Sequence, residues 1–106
     1  MRIGASIGSV QRVNKAEARE VARTKATELR ELGWSQLRER YLDRPETIEV
    51  VGDSGTTYQV QTLAVWDGGD EGNLRVFVAV DDGGWRAFVP LSEDFIVAPD
   101  DSFVGE

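Results

Sequence analysis

The hydrophobic pattern of the chain changes its period at Pro45. Before this residue, apolar side chains recur every three or four positions, which is typical of an amphipathic helix packed on one side. The apolar stripe consists of Ala18, Val21, Ala22, Ala26, Leu29 and Leu32. Asn14 and Glu17 have the spacing of a capping box, and Gly33 stands where a helix commonly stops. The sequence therefore predicts a helix over about 14–32.

Two shorter segments flank this helix. Ser35 is placed to cap a second helix, which should end by Arg44 because the residue before a proline disfavours helical geometry. The helices are predicted to form either a helical pair or one helix kinked at Gly33. Residues 1–13 are weakly patterned and contain glycines that disfavour helix, so a flexible N-terminal arm is expected there.

After Pro45, alternation with a period of two predicts β-strands. The expected strands are 46–51, 56–66, 74–80 and 85–89, with a turn of helix and a further short strand in 91–99. Residues 81–84 have the acid–glycine chemistry of a hairpin turn. The alternation slips near Thr62, which indicates either a bulge or burial on both faces. Residues 103–104 are expected to pack back onto the sheet.

Helices at one end of the sequence and a meander at the other are the pattern of an α+β fold. We expect the N-terminal helical part to pack on one face of a four- to five-stranded antiparallel meander sheet. The expected organisation is one domain over 14–106, helical in 14–44 and β in 46–104.

The charge is divided in the same way as the fold. The 106 residues carry 12 basic and 19 acidic side chains, which gives a net charge of −7. Ten basic and six acidic residues lie in 1–45. Residues 46–106 contain only two basic residues, Arg75 and Arg86, and thirteen acidic ones. An acidic protein repels nucleic acid, so no nucleic-acid partner is expected.

The composition excludes several kinds of catalytic and metal-binding site. With no Cys and no His, disulfides, thiolate and Ser–His nucleophiles and the usual zinc sites are excluded. A general acid or base would have to be a carboxylate, a lysine or a tyrosine. No run approaches the ~20 apolar residues of a membrane span, and the N-terminus does not read as a signal peptide. We therefore expect a cytoplasmic protein with no membrane partner.

The acidic, glycine-rich loop 67–73 looks most like a site. Flexible loops with several oxygens suit hard cations, but the spacing departs from an EF-hand because Val78 falls where the bidentate acid is needed. A solvated turn is the simpler interpretation. No catalytic residue, metal site or cofactor is predicted.

The turns and strand ends of the β half contain the candidate interaction surface. The predicted hairpin would bring Arg75 and Arg86 near each other, either to bind an anion or to pair with the surrounding acids. Trp66 and Trp85 flank loops, as aromatic anchors of an interface often do. The candidate residues are Trp66, Asp67, Asp70, Glu71, Arg75, Asp81, Asp82, Trp85 and Arg86.

The C-terminal third contains the stretch DGGWRAFVPLS at 82–92, followed by Asp94-Phe95-Ile96 and Ala98-Pro99-Asp100. This stretch resembles the end of small bacterial proteins of actinobacterial type, which carry no assigned activity. The resemblance implies a stand-alone small protein and not a fragment of a large enzyme, and it implies no site residues.

The sequence favours a non-catalytic, acidic interaction protein of inhibitor or immunity type that binds a basic partner. Two alternatives remain open. The protein could associate with itself as a homodimer or larger homo-oligomer, in which the positively charged helices of one copy contact the negatively charged sheet of another. It could instead be a carboxylate-based enzyme or small-ligand binder, which requires its acids and an arginine to converge in a pocket.

Overall fold

We describe the fold from a computed structural model, which covers the backbone of 2–68, 72–81 and 91–106 and the side chains of 15–68, 72–81 and 92–106. The elements are α1 (Arg2–Arg30), α2 (Gly33–Tyr41), β1 (Glu46–Val51), β2 (Thr57–Trp66), β3 (Leu74–Asp81) and β4 (Leu91–Val97).

The four strands form one antiparallel sheet in the order β1-β2-β3-β4. Both helices pack on the same face of this sheet, because their buried residues join one core with the residues of a single strand face. The predicted α+β class and the meander are thereby confirmed.

The helical stripe forms the upper layer of the core. Ala18, Ala22, Ala26 and Leu29 are buried, and Ala22 is only 1% exposed. The alanines allow the α1 backbone to approach the sheet closely, so the stripe predicted from the sequence is the face that packs.

Helix α1 begins at Arg2, not at Asn14. The predicted helix start at about residue 14 is therefore wrong, while the flexibility expected for 1–13 stays a prediction. Extending an existing helix adds one hydrogen bond per residue fixed, and this outweighs the roughly 1 kcal/mol that each glycine costs in a helix. Asn14 lies inside α1, so it cannot cap the helix, and the carboxylate of Glu17 makes its contacts elsewhere.

The break between the helices falls at the predicted glycine. Gly33 has a positive φ of 83°, and α2 begins at this residue. The cap is not the predicted Ser35: the backbone N–H of Trp34 donates a 2.8 Å hydrogen bond to Oδ1 of Asp101, from beyond β4. Helix α2 ends at Tyr41, ahead of Pro45 as expected.

Strand β2 contains no bulge. Its pairing to both neighbours runs without interruption, and Tyr58, Val60, Thr62 and Ala64 are all buried. The apparent slip in the sequence arises because a threonine and an alanine occupy core positions. The larger Leu63 and its neighbour at 65 are half-buried on the opposite face.

Strand β3 has β2 on one side and β4 on the other. Its partner on the second side is therefore Leu91–Val97, and the predicted strand 85–89 lies outside the described residues. The segment 91–97 is a strand throughout, so the expected turn of helix is absent from it. The chain then packs back as predicted: the rings of Phe95 and Phe103 lie 5.8 Å apart, edge to face.

Candidate interaction surface

The face of the sheet opposite the helices is open in the described part of the chain. Residues at odd-numbered positions of β1, β2 and β3, and at even-numbered positions of β4, point to this face. No described helix packs against it, since the buried residues of both helices join the other face. We call it the open face.

The centre of the open face is apolar. Leu63 lies directly opposite Phe77 across the β2–β3 pair, and Val65 and Ile96 flank Arg75 one step along the sheet. Phe77 is 36% exposed, while the other three apolar side chains are half-buried. We call Leu63, Val65, Phe77 and Ile96 the open-face cluster. Contiguous exposed apolar groups framed by polar ones are typical of interaction sites.

Arg75 connects the cluster to two acids. Its Nη2 lies 3.1 Å from Oδ1 of Asp67, and its Nη1 donates a hydrogen bond to Oδ2 of Asp94. These two bonds, that to Asp94 first, raise the pKa of the Arg75 guanidinium above its usual value. The interpretation that Arg75 pairs with surrounding acids is confirmed. Its cation is shared by two carboxylates, which leaves the open face acidic.

Further acids frame the same face. Glu49 in β1 accepts a 3.1 Å hydrogen bond from Nε2 of Gln59, and Asp81 lies at the end of β3. With Asp67 and Asp94, the described residues place four carboxylates and one guanidinium on the open face. Asp67 and Asp94 adjoin the cluster, whereas Glu49 and Asp81 lie four residues along the strands from Leu63 and Phe77. The charge split found in the sequence therefore appears on this face as an acidic rim beside an apolar centre.

Trp66 does not belong to this surface. It lies on the helix side of the sheet, where its ring centroid is 6.1 Å from that of Trp34. The guanidinium of Arg38 lies 5.8 Å from both ring centroids, and Nε1 of Trp34 donates to the carbonyl of Gly72. Trp66 therefore packs at the contact between α2 and the end of β2.

Three of the nine predicted surface residues lie on the open face: the structure brings Asp67 and Arg75 into contact, whereas Asp81 lies six residues along β3 from Arg75. Asp70, Glu71, Asp82, Trp85 and Arg86 lie outside the described residues. The sequence analysis missed Leu63, Val65, Phe77 and Ile96. The alternation of β3 already placed Phe77 opposite the core, and an exposed aromatic in that position was the available signal.

Within the described residues, no group of three or more acids is arranged to hold a metal ion. Asp67, Arg75 and Asp94 meet on the open face of the sheet. Among the described helices, none is both long and apolar enough to cross a bilayer.

Searches against protein-family models, curated proteins and solved structures gave no match to this chain. The resemblance of the C-terminal third to small actinobacterial proteins stays a prediction, and the function has to be argued from the open face itself.

Proposed function

We propose that this protein is a non-catalytic interaction protein that binds a basic protein partner through the open face. The observation that carries the proposal is Phe77, a large aromatic side chain 36% exposed at the centre of an apolar cluster. Aromatic residues near the centre of a patch supply much of the binding energy in protein interfaces.

The rim decides the chemistry of the partner. Asp67 and Asp94 adjoin the cluster, and Asp81 lies farther along the same face. Among the described residues, the one cation on this face is Arg75, which is already paired with Asp67 and Asp94. A partner with lysines or arginines around an apolar centre would complement both parts of this surface. Opposite charges also steer the encounter and raise the association rate. An inhibitor or immunity protein directed at a basic enzyme would use such a surface.

The test compares two surface variants as bait. A photo-crosslinking residue at position 63 captures partners from the native cell extract, using the wild type, Phe77→Thr and Val51→Thr. Val51 is 66% exposed and pairs with Thr57, six residues along β2 from Leu63, so it is the control at a distance from the cluster. Threonine is compatible with strands.

We expect one captured protein to be basic, to be lost with Phe77→Thr and to be kept with Val51→Thr. With that protein purified, association should slow several-fold between low and physiological salt. The proposal fails if capture is unaffected by Phe77→Thr, or if the association rate does not depend on salt. Capture of a second copy of the chain would support self-association instead.

A further inference from the structure

A cleft of about 150 Å³ lies between α1 and β1. Its lining residues are Val21, Thr24, Lys25, Glu28, Ile48 and Val50. An apolar cavity of this volume can hold a molecule of the size of benzene. The cleft therefore has room for one apolar side chain from outside the described chain.

The cleft lies beside a free strand edge. β1 pairs with β2 on one side, and within the described residues no strand pairs with its other side. The N–H of Gly52 donates to the carbonyl of Thr56. In this register, the backbone groups of every second residue before Gly52, namely Val50, Ile48 and Glu46, bond to β2. Because hydrogen-bonded positions alternate, the backbone N–H and C=O groups of Thr47, Glu49 and Val51 point away from β2, toward the free edge.

β1 therefore presents both apolar side chains and unpaired backbone groups on its free side, within the described part of the chain. The side chains of Ile48 and Val50 line the cleft, while the backbone groups of the residues between and beyond them face outward. A strand added to this edge would direct every second side chain into the cleft. Its intervening side chains would point to the opposite face, next to Glu49.

We propose that β1 accepts an extended segment of a partner protein, which has small apolar residues at the cleft-facing positions and lysine or arginine between them. Addition of a strand to a sheet edge uses main-chain hydrogen bonds for affinity and pockets for alternate side chains for specificity. We infer a basic residue between the apolar ones because the carboxylate of Glu49 would lie directly opposite it, and opposite charges in such a pair are stabilising. This inference does not rest on the open face and stands or falls separately from it.

A second copy of the chain fits this edge less well. The symmetric antiparallel register that uses all three outward residues would set Glu49 directly opposite Glu49 of the other copy. Like charges in directly opposed positions destabilise a strand pair, and an acidic residue on an edge strand is a common protection against self-pairing.

The experiment uses a synthetic peptide of alternating lysine and valine, with acetylated and amidated ends. Amide hydrogen exchange is measured by NMR on the full-length protein with and without saturating peptide. We expect exchange to slow at least tenfold at Thr47, Glu49 and Val51, and little change at Ile48 and Val50, whose amides already bond to β2. A peptide N-methylated at its lysines retains its side chains but cannot donate to the edge, so it should give no protection.

Three variants test the two halves of the proposal. Glu49→Lys should weaken binding of the lysine–valine peptide about fivefold and should favour a glutamate–valine peptide. Thr24→Trp fills the cleft and should weaken binding at least tenfold. Thr27→Trp, at an exposed position of α1 away from the cleft lining, should leave binding unchanged.

Three results would overturn the inference. One is the absence of protection at the edge residues. Another is a peptide-induced shift of the Phe77 ring resonances without slowed exchange at the edge, which would assign peptide binding to the open face. The third is concentration-dependent protection of Thr47, Glu49 and Val51 without peptide, which would make a second copy the occupant.

Discussion

The hydroxyl of Tyr58 in β2 donates a 2.8 Å hydrogen bond to Oε1 of Glu17 in α1, 41 residues earlier in the chain. The same carboxylate accepts the backbone N–H of Ser54 at 2.9 Å and its hydroxyl at 2.6 Å. Glu17 thus fastens α1 to the β1–β2 turn. These bonds, that of the Ser54 hydroxyl first, lower the pKa of Glu17 below its ordinary value of 4.5.

The lowered pKa makes the contribution of Glu17 depend on pH. A group whose pKa falls on folding stabilises the protein fully above its unfolded pKa and loses that contribution as the pH falls through the folded value. We expect Glu17→Gln to lower the urea midpoint at pH 7, and the gap to the wild type to narrow below pH 4.5. Glu20→Gln, at an exposed position of α1, controls for the lost charge. A gap that stays constant down to pH 3 would contradict the assignment.

Gly52 reports on the same contact. A Cβ at this position would lie 2.4 Å from Cδ of Glu17, so Gly52→Ala should displace the carboxylate. Because both substitutions break one set of hydrogen bonds, their effects on the free energy of unfolding should not add in the double variant. Additive losses would mean that Gly52 acts independently of Glu17.

The cap of α2 gives a second prediction. Asp101→Ala removes the acceptor of the Trp34 N–H and should cost about 1 kcal/mol of the free energy of unfolding. Asp101→Asn should cost less, since asparagine keeps an acceptor and tolerates the positive φ of 73°. Thermal and urea unfolding of the two variants provide the comparison, and equal losses would argue against a capping role.

Gly33 tests the neighbouring backbone. Its φ is 83°, and an added Cβ would lie 3.2 Å from Oδ1 of Asp101. Gly33→Ala should therefore destabilise by about 1–2 kcal/mol through the left-handed conformation alone. Urea unfolding measures the loss. An unchanged or higher midpoint would show that the break between the helices relaxes without cost.

Thr62 is a site at which a substitution should stabilise the protein. It is 1% exposed, and its hydroxyl has no hydrogen-bond partner among the described residues. A buried polar group without a partner costs about 1–3 kcal/mol. Thr62→Val keeps the shape and removes the hydroxyl, so the free energy of unfolding should rise by about 1 kcal/mol. Thr62→Ser keeps the hydroxyl, loses a methyl group and should be destabilising, which calorimetry would distinguish.

The close approach of α1 to the sheet is tested by enlarging an alanine. Ala22 is 1% exposed, and Ala22→Leu should cost about 1–3 kcal/mol because the helix must move away from the sheet. Ala16→Leu, at an exposed position of α1, should stay within about 0.5 kcal/mol of the wild type. Equal midpoints for the two variants would contradict the packing of the stripe.

The parts of the fold that were predicted correctly are those that depend on neighbouring residues. The stripe containing Ala22 and Leu29 repeats with the helical period, and Val76 and Val78 alternate with the strand period, so each pattern shows its buried face directly. The start of α1 was not predicted because Gly4 and Gly8 disfavour a helix locally. The hydrogen bonds gained by extending a helix that has already formed do not show in the local pattern.

The contacts that could not be predicted join distant parts of the chain. Glu17 looked like half of a capping box, and its true partner Ser54 lies 37 residues away. Asp101 caps a helix 67 residues earlier. No local pattern encodes such pairs. The open-face cluster is intermediate: the alternation placed Phe77 on one face, but only the position of the helices shows that this face is the uncovered one.

The segment that follows β4 holds the ends of both helices. Asp101 caps α2, Phe103 packs on Phe95, and Glu106 binds the guanidinium of Arg30 at the end of α1. During synthesis these partners appear well after both helices. At about 5–20 residues per second, the 67 positions between Trp34 and Asp101 take about 3–13 s to translate.

For that interval the nascent chain has both helices but lacks the cap and part of the sheet that covers their apolar stripe. The final fold can therefore form only once β4 and the residues after it have left the ribosome exit tunnel. Until then, the alanine- and leucine-lined side of α1 lacks part of the sheet that buries it in the folded protein, and apolar surface exposed in this way is prone to aggregate.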